Sequence, residues 1–220
     1  MDFSSAFNTV DTSILLEQLS DLHLHTTLLL WIHNFLKDRP QQVFLRGFKS
    51  TKSVISIGLP QGCVLSPVLF SVYTNNIRCH SERMALYKYA DDMALVASVK
   101  TSEDLSKYQQ AVSNLVQTFG DFHLGLNISK TKEMCCGAVS EADTSLFKPL
   151  SIQGQPVEQV QSFRYLGTET DDHLSFANHS NDVYKKALQR LHLLRKLRAL
   201  NVNKDILTIV YKSLIESTLT

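Results

Sequence analysis

The chain has 220 residues, 44% hydrophobic and 20% charged, with eight Gly and five Pro; this fits one large globular domain, or a domain with a helical appendage, and excludes disordered, collagen-like and multi-enzyme chains. Its 22 Lys and Arg against 21 Asp and Glu give a formal charge of +1. The charges are segregated: residues 183–204 carry seven basic side chains and no acid, leaving 15 basic against 21 acidic elsewhere, so a near-neutral sum hides a basic segment and an acidic body.

Taken in chain order, Leu15, Leu16, Leu19 and Leu22 recur at helical spacing from Thr12, and a second helical stretch from Thr26 to Lys37 carries Leu29, Leu30, Trp31 and Phe35. Pro40 ends this helical region. Residues 42–46 and 52–57, separated by the turn 47–51, read as a strand pair. The loop Gly58-Leu59-Pro60-Gln61-Gly62 feeds an apolar stretch, Val64 to Tyr73, in which Pro67 suits a first helical turn. Residues 84–99 place apolar residues on both sides of Asp91-Asp92, as in two short strands joined by a tight turn. Thr101 and Asp104 fit a capping box for a helix with the stripe Leu105, Tyr108, Val112, Leu115, Val116 and Phe119. Residues 124–136 return to a strand-like pattern, a hairpin is expected around Gly154, and a short strand at 163–166. Beyond Asp172 an amphipathic basic helix carries Val183, Tyr184, Ala187, Leu188, Leu191 and Leu194 on one apolar arc, and Asn203 is a good N-cap for a further helix. The expected organisation is therefore an α+β body, 1–172, and a basic helical piece, 173–220.

Met1 is followed by Asp2 with no basic and apolar leader, and the longest strongly apolar run, 28–32, is far short of the ~20 residues of a membrane span. No membrane is expected as a partner. The cysteines at 63, 79, 135 and 136 lack C-x-x-C spacing, so reduced thiols inside a cell, with no disulfide partner, are expected, cytoplasm and nucleus being left open. The histidines lack zinc-site spacing.

Adjacent aspartates repel unless a cation offsets them, and hard divalent ions such as Mg²⁺ take carboxylate oxygens while keeping positions for phosphate. The plainer reading makes Asp91 and Asp92 ordinary turn residues. The apolar residues flanking them favour a turn emerging from a buried sheet. Asp2 supplies a third carboxylate, though an Asp so near a terminus is commonly frayed.

These pieces assemble into a family pattern. Asp2-Phe-Ser-Ser-Ala-Phe7, Gly58-Leu-Pro-Gln-Gly-Cys-Val-Leu-Ser-Pro67, Tyr89-Ala-Asp-Asp92, Leu126-Asn-Ile-Ser-Lys-Thr131 and Tyr165-Leu-Gly167 stand in the order and approximate spacing of five motifs, and nearly the whole chain resembles the reverse transcriptase of non-LTR (LINE-type) retrotransposons. The resemblance implies a polymerase palm, a ferredoxin-like antiparallel sheet packed on helices, followed by a helical thumb fragment. It implies an RNA template, a DNA primer and deoxynucleoside triphosphates as partners. It implies two Mg²⁺ ions, with Mn²⁺ as a substitute, held by Asp2, Asp91, Asp92 and the Phe3 carbonyl. Phe7 would be the steric gate against a 2′-hydroxyl, Pro60, Gln61 and Gly62 would lie against the nascent base pair, and Lys130 would stand near the leaving phosphate. Tyr165, Leu166 and Gly167 would form the primer grip, and Lys185, Lys186, Arg190 and Lys196 would contact duplex phosphates.

The fingers that precede the first motif in this family are not in the sequence, and its last helix is still running at Thr220, so a truncated element is expected. Two readings follow: an RNA-directed DNA polymerase domain working by two-metal-ion nucleotidyl transfer, and an inactive remnant with at most nucleic-acid binding. A weak similarity of 172–220 to the N-terminal segment of an AlkB-type repair homologue brings no oxygenase expectation, because no His is followed two residues later by Asp.

Overall fold

The computed structural model describes residues 1–79, 81, 83–137 and 149–219. It is mixed helix and sheet. The chain divides into two compact units, Met1–Glu133 with Ala142–Glu158, and Met134–Glu141 with Gln159–Thr220.

In the first unit a short 3₁₀ turn, Ala6–Asn8, precedes α1, Thr12–Asp21. The Asp11 carboxylate caps α1 by accepting from the N–H groups of Ser13 and Ile14, which would otherwise be orphaned at the helix start. α2, Thr26–Leu36, turns Ile32 and Leu36 into the core and leaves Leu30 and Trp31 exposed. Its core-facing residues are Ile32 and Leu36 with Leu29 and Phe35 partly buried beside them, so of the expected apolar positions Leu29 and Phe35 reach the core and Leu30 and Trp31 do not. The strands β1 (Arg39–Gln41), β2 (Phe44–Leu45), β3 (Phe48–Lys49) and β4 (Ser53–Ile55) form nested pairs, β1 with β4 and β2 with β3. This shifts the expected ladder outward to include Pro40, because the turn falls at Arg46-Gly47, both in the left-handed region that a two-residue hairpin loop needs.

α3, Leu65–Tyr73, buries Leu69, Phe70 and Tyr73. The buried Tyr73 hydroxyl is satisfied twice, donating to the Phe122 carbonyl at 2.5 Å and accepting from the Asp11 N–H at 3.3 Å. β5 (Met84–Tyr89) and β6 (Asp92–Ala97) form an antiparallel hairpin with Tyr89 opposite Asp92. One face buries Met93, while Tyr87, Tyr89 and Val96 on the other are exposed, so the hairpin is not buried on both faces as its apolar flanks suggested.

α4, Ser102–Asp121, starts with the expected capping box. Asp104 is 8% exposed, and its carboxylate takes the N–H groups of Lys100 and Thr101, the Thr101 hydroxyl and Arg83 Nη1. α4 drives Val112, Leu115 and Phe119 inward. Residues 124–136 are mostly irregular rather than strand, with a turn at 128–130 where the Asn127 side chain and carbonyl capture Ser129, Lys130 and Thr131 locally; only β7, Lys132–Glu133, and a single bridge at Leu126 remain. β8 (Ser151–Ile152) and β9 (Gln155–Pro156) turn at Gln153-Gly154, as the glycine foretold, and pack against Val112. β10, Glu158–Gln159, is the next short strand.

In the second unit, β11 (Ser162–Tyr165) and β12 (Thr168–Asp171) form a hairpin. α5, Ala177–Ala199, follows, then α6, Lys204–Val210, capped by Asn203 as expected, a π-helical turn Tyr211–Glu216, and α7, Ser217–Leu219. α5 buries no side chain completely, and Ile215 of the π turn is buried. No helix among the described residues is long and apolar enough to cross a membrane.

Candidate functional site

The site is built on the first four residues. Met1 and Met93 exchange two backbone hydrogen bonds, of 2.8 and 3.4 Å, in an antiparallel pair. On the other side, Ser4 N–H donates to the Gly125 carbonyl at 2.8 Å and Asn127 N–H to the Asp2 carbonyl at 2.9 Å, around the antiparallel bridge of Phe3 with Leu126. Residues 1–4 thus run as a short segment hydrogen-bonded to β6 on one side and to 125–127 on the other, with one isolated bridge at Phe3. Phe3, 6% exposed, pins it with its ring set edge-on to Phe119 at 4.9 Å.

This register puts Asp2 directly across from Asp92, on the same face. Burial lowers the pKa of the Met1 ammonium, and Asp2 and then Asp92 pull it back up, so both carboxylates act on one point. The alternation that turns the Asp2 carbonyl to Asn127 turns the Phe3 carbonyl to the hairpin side. Asp91 stands in the exposed turn after Ala90, whose φ of +51° is uncommon for a residue with a Cβ. Among the described residues no three His, Cys, Asp or Glu side chains are close enough to hold an ion by themselves. Two opposed carboxylates are nevertheless hard oxygen donors of the kind that Mg²⁺ takes when substrate phosphates complete its shell, so they fit the ion.

The loop at 58–62 is bonded to the same segment. Gly58 N–H donates to the Val10 carbonyl at 2.8 Å and Leu59 N–H to the Phe7 carbonyl at 2.7 Å. Only glycine serves at 58: φ is +71°, and a Cβ would meet the Asn8 backbone at 2.7 Å. Gln61 Nε2 donates to Asn8 Oδ1 at 3.1 Å, and Ser66 Oγ to the Pro60 carbonyl at 2.5 Å. Phe7 is half-buried and stacked on Phe70, ring centroids 4.7 Å apart and planes 29° apart. The structure thus brings Asp2, Phe3, Phe7, Pro60, Gln61, Gly62, Asp91 and Asp92 onto two linked segments and one hairpin. Lys130 is exposed on the neighbouring turn, its N–H on Asn127 Oδ1.

Tyr165, Leu166 and Gly167 make the β11–β12 turn, with Leu166 and Gly167 both at positive φ. Lys185, Lys186 and Lys196 are exposed on α5. Arg190 instead turns inward within its unit, donating to the Leu214 carbonyl at 2.6 Å and to Thr218 Oγ1.

Two positioning side chains were not legible in the sequence. Lys88 Nζ reaches the carbonyls of Thr74, Asn75 and Ile77, at 2.7, 3.4 and 3.1 Å, closing the C-terminal end of α3. Burial lowers its pKa, with Arg78 adding to the effect. Arg39 Nη2 donates to the carbonyls of Ile57 and Gly58. A cation inside an apolar strand run is the one available signal for Lys88, and nothing marks Arg39.

The family described as reverse transcriptase (RNA-dependent DNA polymerase) matches residues 1–170. A second, described as alkylated DNA repair protein alkB homolog 8, N-terminal, matches 177–217. Among curated proteins, the RNA-directed DNA polymerase from mobile element jockey of Drosophila melanogaster is 26% identical over 163 residues, 71% of this chain and 18% of that protein. The probable RNA-directed DNA polymerase from transposon BS of the same organism is 28% identical over 174 residues, 76% of this chain and 19% of that protein. The putative 115 kDa protein in type-1 retrotransposable element R1DM, also from Drosophila melanogaster, is 29% identical over 187 residues, 81% of this chain and 17% of that protein. The chain spans about a fifth of the length of these relatives.

Proposed function

The chain belongs to the reverse transcriptase (RNA-dependent DNA polymerase) family, and from that premise we propose that it contributes the nucleotidyl-transfer site of an RNA-directed DNA polymerase, extending a DNA primer on an RNA template with deoxynucleoside triphosphates. The observation that carries this reading is the pairing of Asp2 with Asp92 across a strand register, beside Asp91 and on the segment to which the 58–62 loop is bonded. We assign 1–172 to a palm, built around the β5–β6 hairpin with the segments 1–4 and 125–127 bonded alongside it, and 173–220 to a thumb.

Asp2, Asp91, Asp92 and the Phe3 carbonyl would hold two Mg²⁺ ions, or Mn²⁺ in their place, which when bound supply charge neutralisation at the phosphates and acidify the primer 3′-hydroxyl. Without a cation the opposed carboxylates repel, which makes the pair selective for positive charge. Phe7, braced by Phe70, closes the space a 2′-hydroxyl would take, and so selects deoxynucleotides. Pro60, Gln61 and Gly62 present main chain and one amide to the nascent base pair. Lys130 lends positive charge to the leaving phosphate. Tyr165, Leu166 and Gly167 seat the primer, and Lys185, Lys186, Arg190 and Lys196 engage duplex phosphates, Arg190 through a guanidinium that also ties α5 to the end of the chain.

Primer extension on an RNA template with Mg²⁺, run beside Asp91→Ala, tests the reading. Extension lost in the variant supports it; equal extension in both overturns it. One observation favours the second reading, nucleic-acid binding without catalysis: Asp91 is not gathered with Asp2 and Asp92 into a cluster of three. A folded chain that binds primer-template and extends nothing would establish that reading instead.

A further inference from the structure

Arg39 opens β1, and its partner strand β4 runs straight into the 58–62 loop. Its main chain is in register with Ile55. Its guanidinium Nη2 donates to the Ile57 carbonyl at 2.5 Å and to the Gly58 carbonyl at 2.7 Å. One residue therefore grips the end of the strand and the first peptide of the loop. From the opposite direction, the N–H groups of Gly58 and Leu59 are held by the carbonyls of Val10 and Phe7. Gly58 lies so close to Asn8 that no Cβ fits between them. The loop is clamped between the segment carrying Phe7 and the Arg39 guanidinium. The approach to Arg39 is itself fixed: Asp38 adopts φ +47°, and its carboxylate accepts from the Ser56 hydroxyl at 3.1 Å. Arg39 Nε is buried with no hydrogen-bond partner, a cost that only gains at the far end of the side chain can offset.

We propose that Arg39 is a positioning residue that fixes the 58–62 loop against Phe7, holding one spacing between the Phe7 ring and Pro60–Gly62 and so sharpening selection of the nucleotide sugar. The proposal rests on reading Phe7 and this loop as the nucleotide contact. Neither Arg39 nor its two carbonyl acceptors touches the aspartates, so it acts only through the loop.

Two variants and two readouts test it. Arg39→Met keeps the stem and removes every donor; Arg39→Lys keeps one cationic donor group on a flexible stem. Hydrogen exchange by mass spectrometry on the full chain needs no catalysis. The peptide covering 58–64 is expected to exchange about tenfold faster in Arg39→Met, the factor one net hydrogen bond supplies, with α4 unchanged and Arg39→Lys between the two. Unchanged exchange at 58–64 overturns the latch. If Arg39→Met loosens α4 as well, the comparison is made with Arg39→Lys, and equal acceleration of 58–64 and α4 in that variant overturns it too. The second readout is the preference for deoxy- over ribonucleotide in primer extension, with Phe7→Ala as reference. Arg39→Met is expected to lower the preference about tenfold, through KM for the deoxynucleotide more than through kcat. Preference lowered by Phe7→Ala but not by Arg39→Met overturns the positioning role alone. Preference unmoved by Phe7→Ala overturns the reading of Phe7 as the sugar contact, and the selectivity half of the proposal with it.

Discussion

At the scale of single residues, the site sets two aspartates against each other. Asp2 faces Asp92 across the strand pair made by Met1 and Met93, and like charges directly opposite destabilise a sheet. Asp92→Asn is therefore expected to raise folding stability by about 0.5 kcal/mol in urea denaturation without divalent ions. In the same assay Mg²⁺ is expected to stabilise the native chain and leave the variant unmoved, since an ion binding only the folded site shifts the equilibrium by mass action. Asp104 is the opposite case, a carboxylate with every partner in place. The Lys100 N–H and the Thr101 hydroxyl hold its pKa below the usual aspartate range, with Arg83 assisting. A depressed folded-state pKa contributes stability that is complete above the unfolded value of about 3.9 and disappears as pH falls through the lower folded value. Thermal melts from neutral pH down to about pH 2 should show native chain and Asp104→Asn converging on the acid side, with their gap widest above about pH 5.

At the scale of elements, α4 is the support of the site. Phe119, 1% exposed, meets Phe3 edge-on, so one helix residue holds the strand that carries Asp2. Phe119→Ala is expected to cost about 3–5 kcal/mol in chemical denaturation. It should also raise hydrogen exchange at residues 2–4 more than in β11–β12, because the edge contact is lost where the strand begins. α4 was legible in the sequence: its cap, Thr101 with Asp104, and its stripe are both local patterns. So were the turns at Gly154 and at Asp91, where short-range chemistry decides. What local pattern could not supply was pairing. The 39–55 ladder took its register from Arg46-Gly47, a turn in which a non-glycine at positive φ precedes a glycine, as also at Gln153-Gly154 and Leu166-Gly167. Residues 124–136 read as strand-like, yet Asn127 drew the residues after it into a turn of its own. The site motifs were readable as words, whereas the supports of Lys88 and Arg39 arise from contacts between elements that no spacing along the chain records.

At the scale of the molecule, charge is segregated: residues outside 183–204 carry more acidic than basic side chains, and the basic helix presents Lys185, Lys186 and Lys196 to solvent. Replacing these three by Gln is expected to reduce the slope of log affinity against log salt by about 3 for duplex binding, one unit per phosphate contact, measured by titration across a range of salt. Arg190, engaged with Leu214 and Thr218, should contribute less to that slope and more to the melting temperature of its unit. The segment 1–4 carries a kinetic consequence. Its partners lie 92 residues away at Met93 and further still at 125–127, so it closes long loops for only a handful of bonds. Loop closure of that length is slow and is rewarded late. The aspartate pair therefore depends on contacts that close between residues 92 positions apart in the chain, a cost that local elements such as the β5–β6 hairpin do not carry.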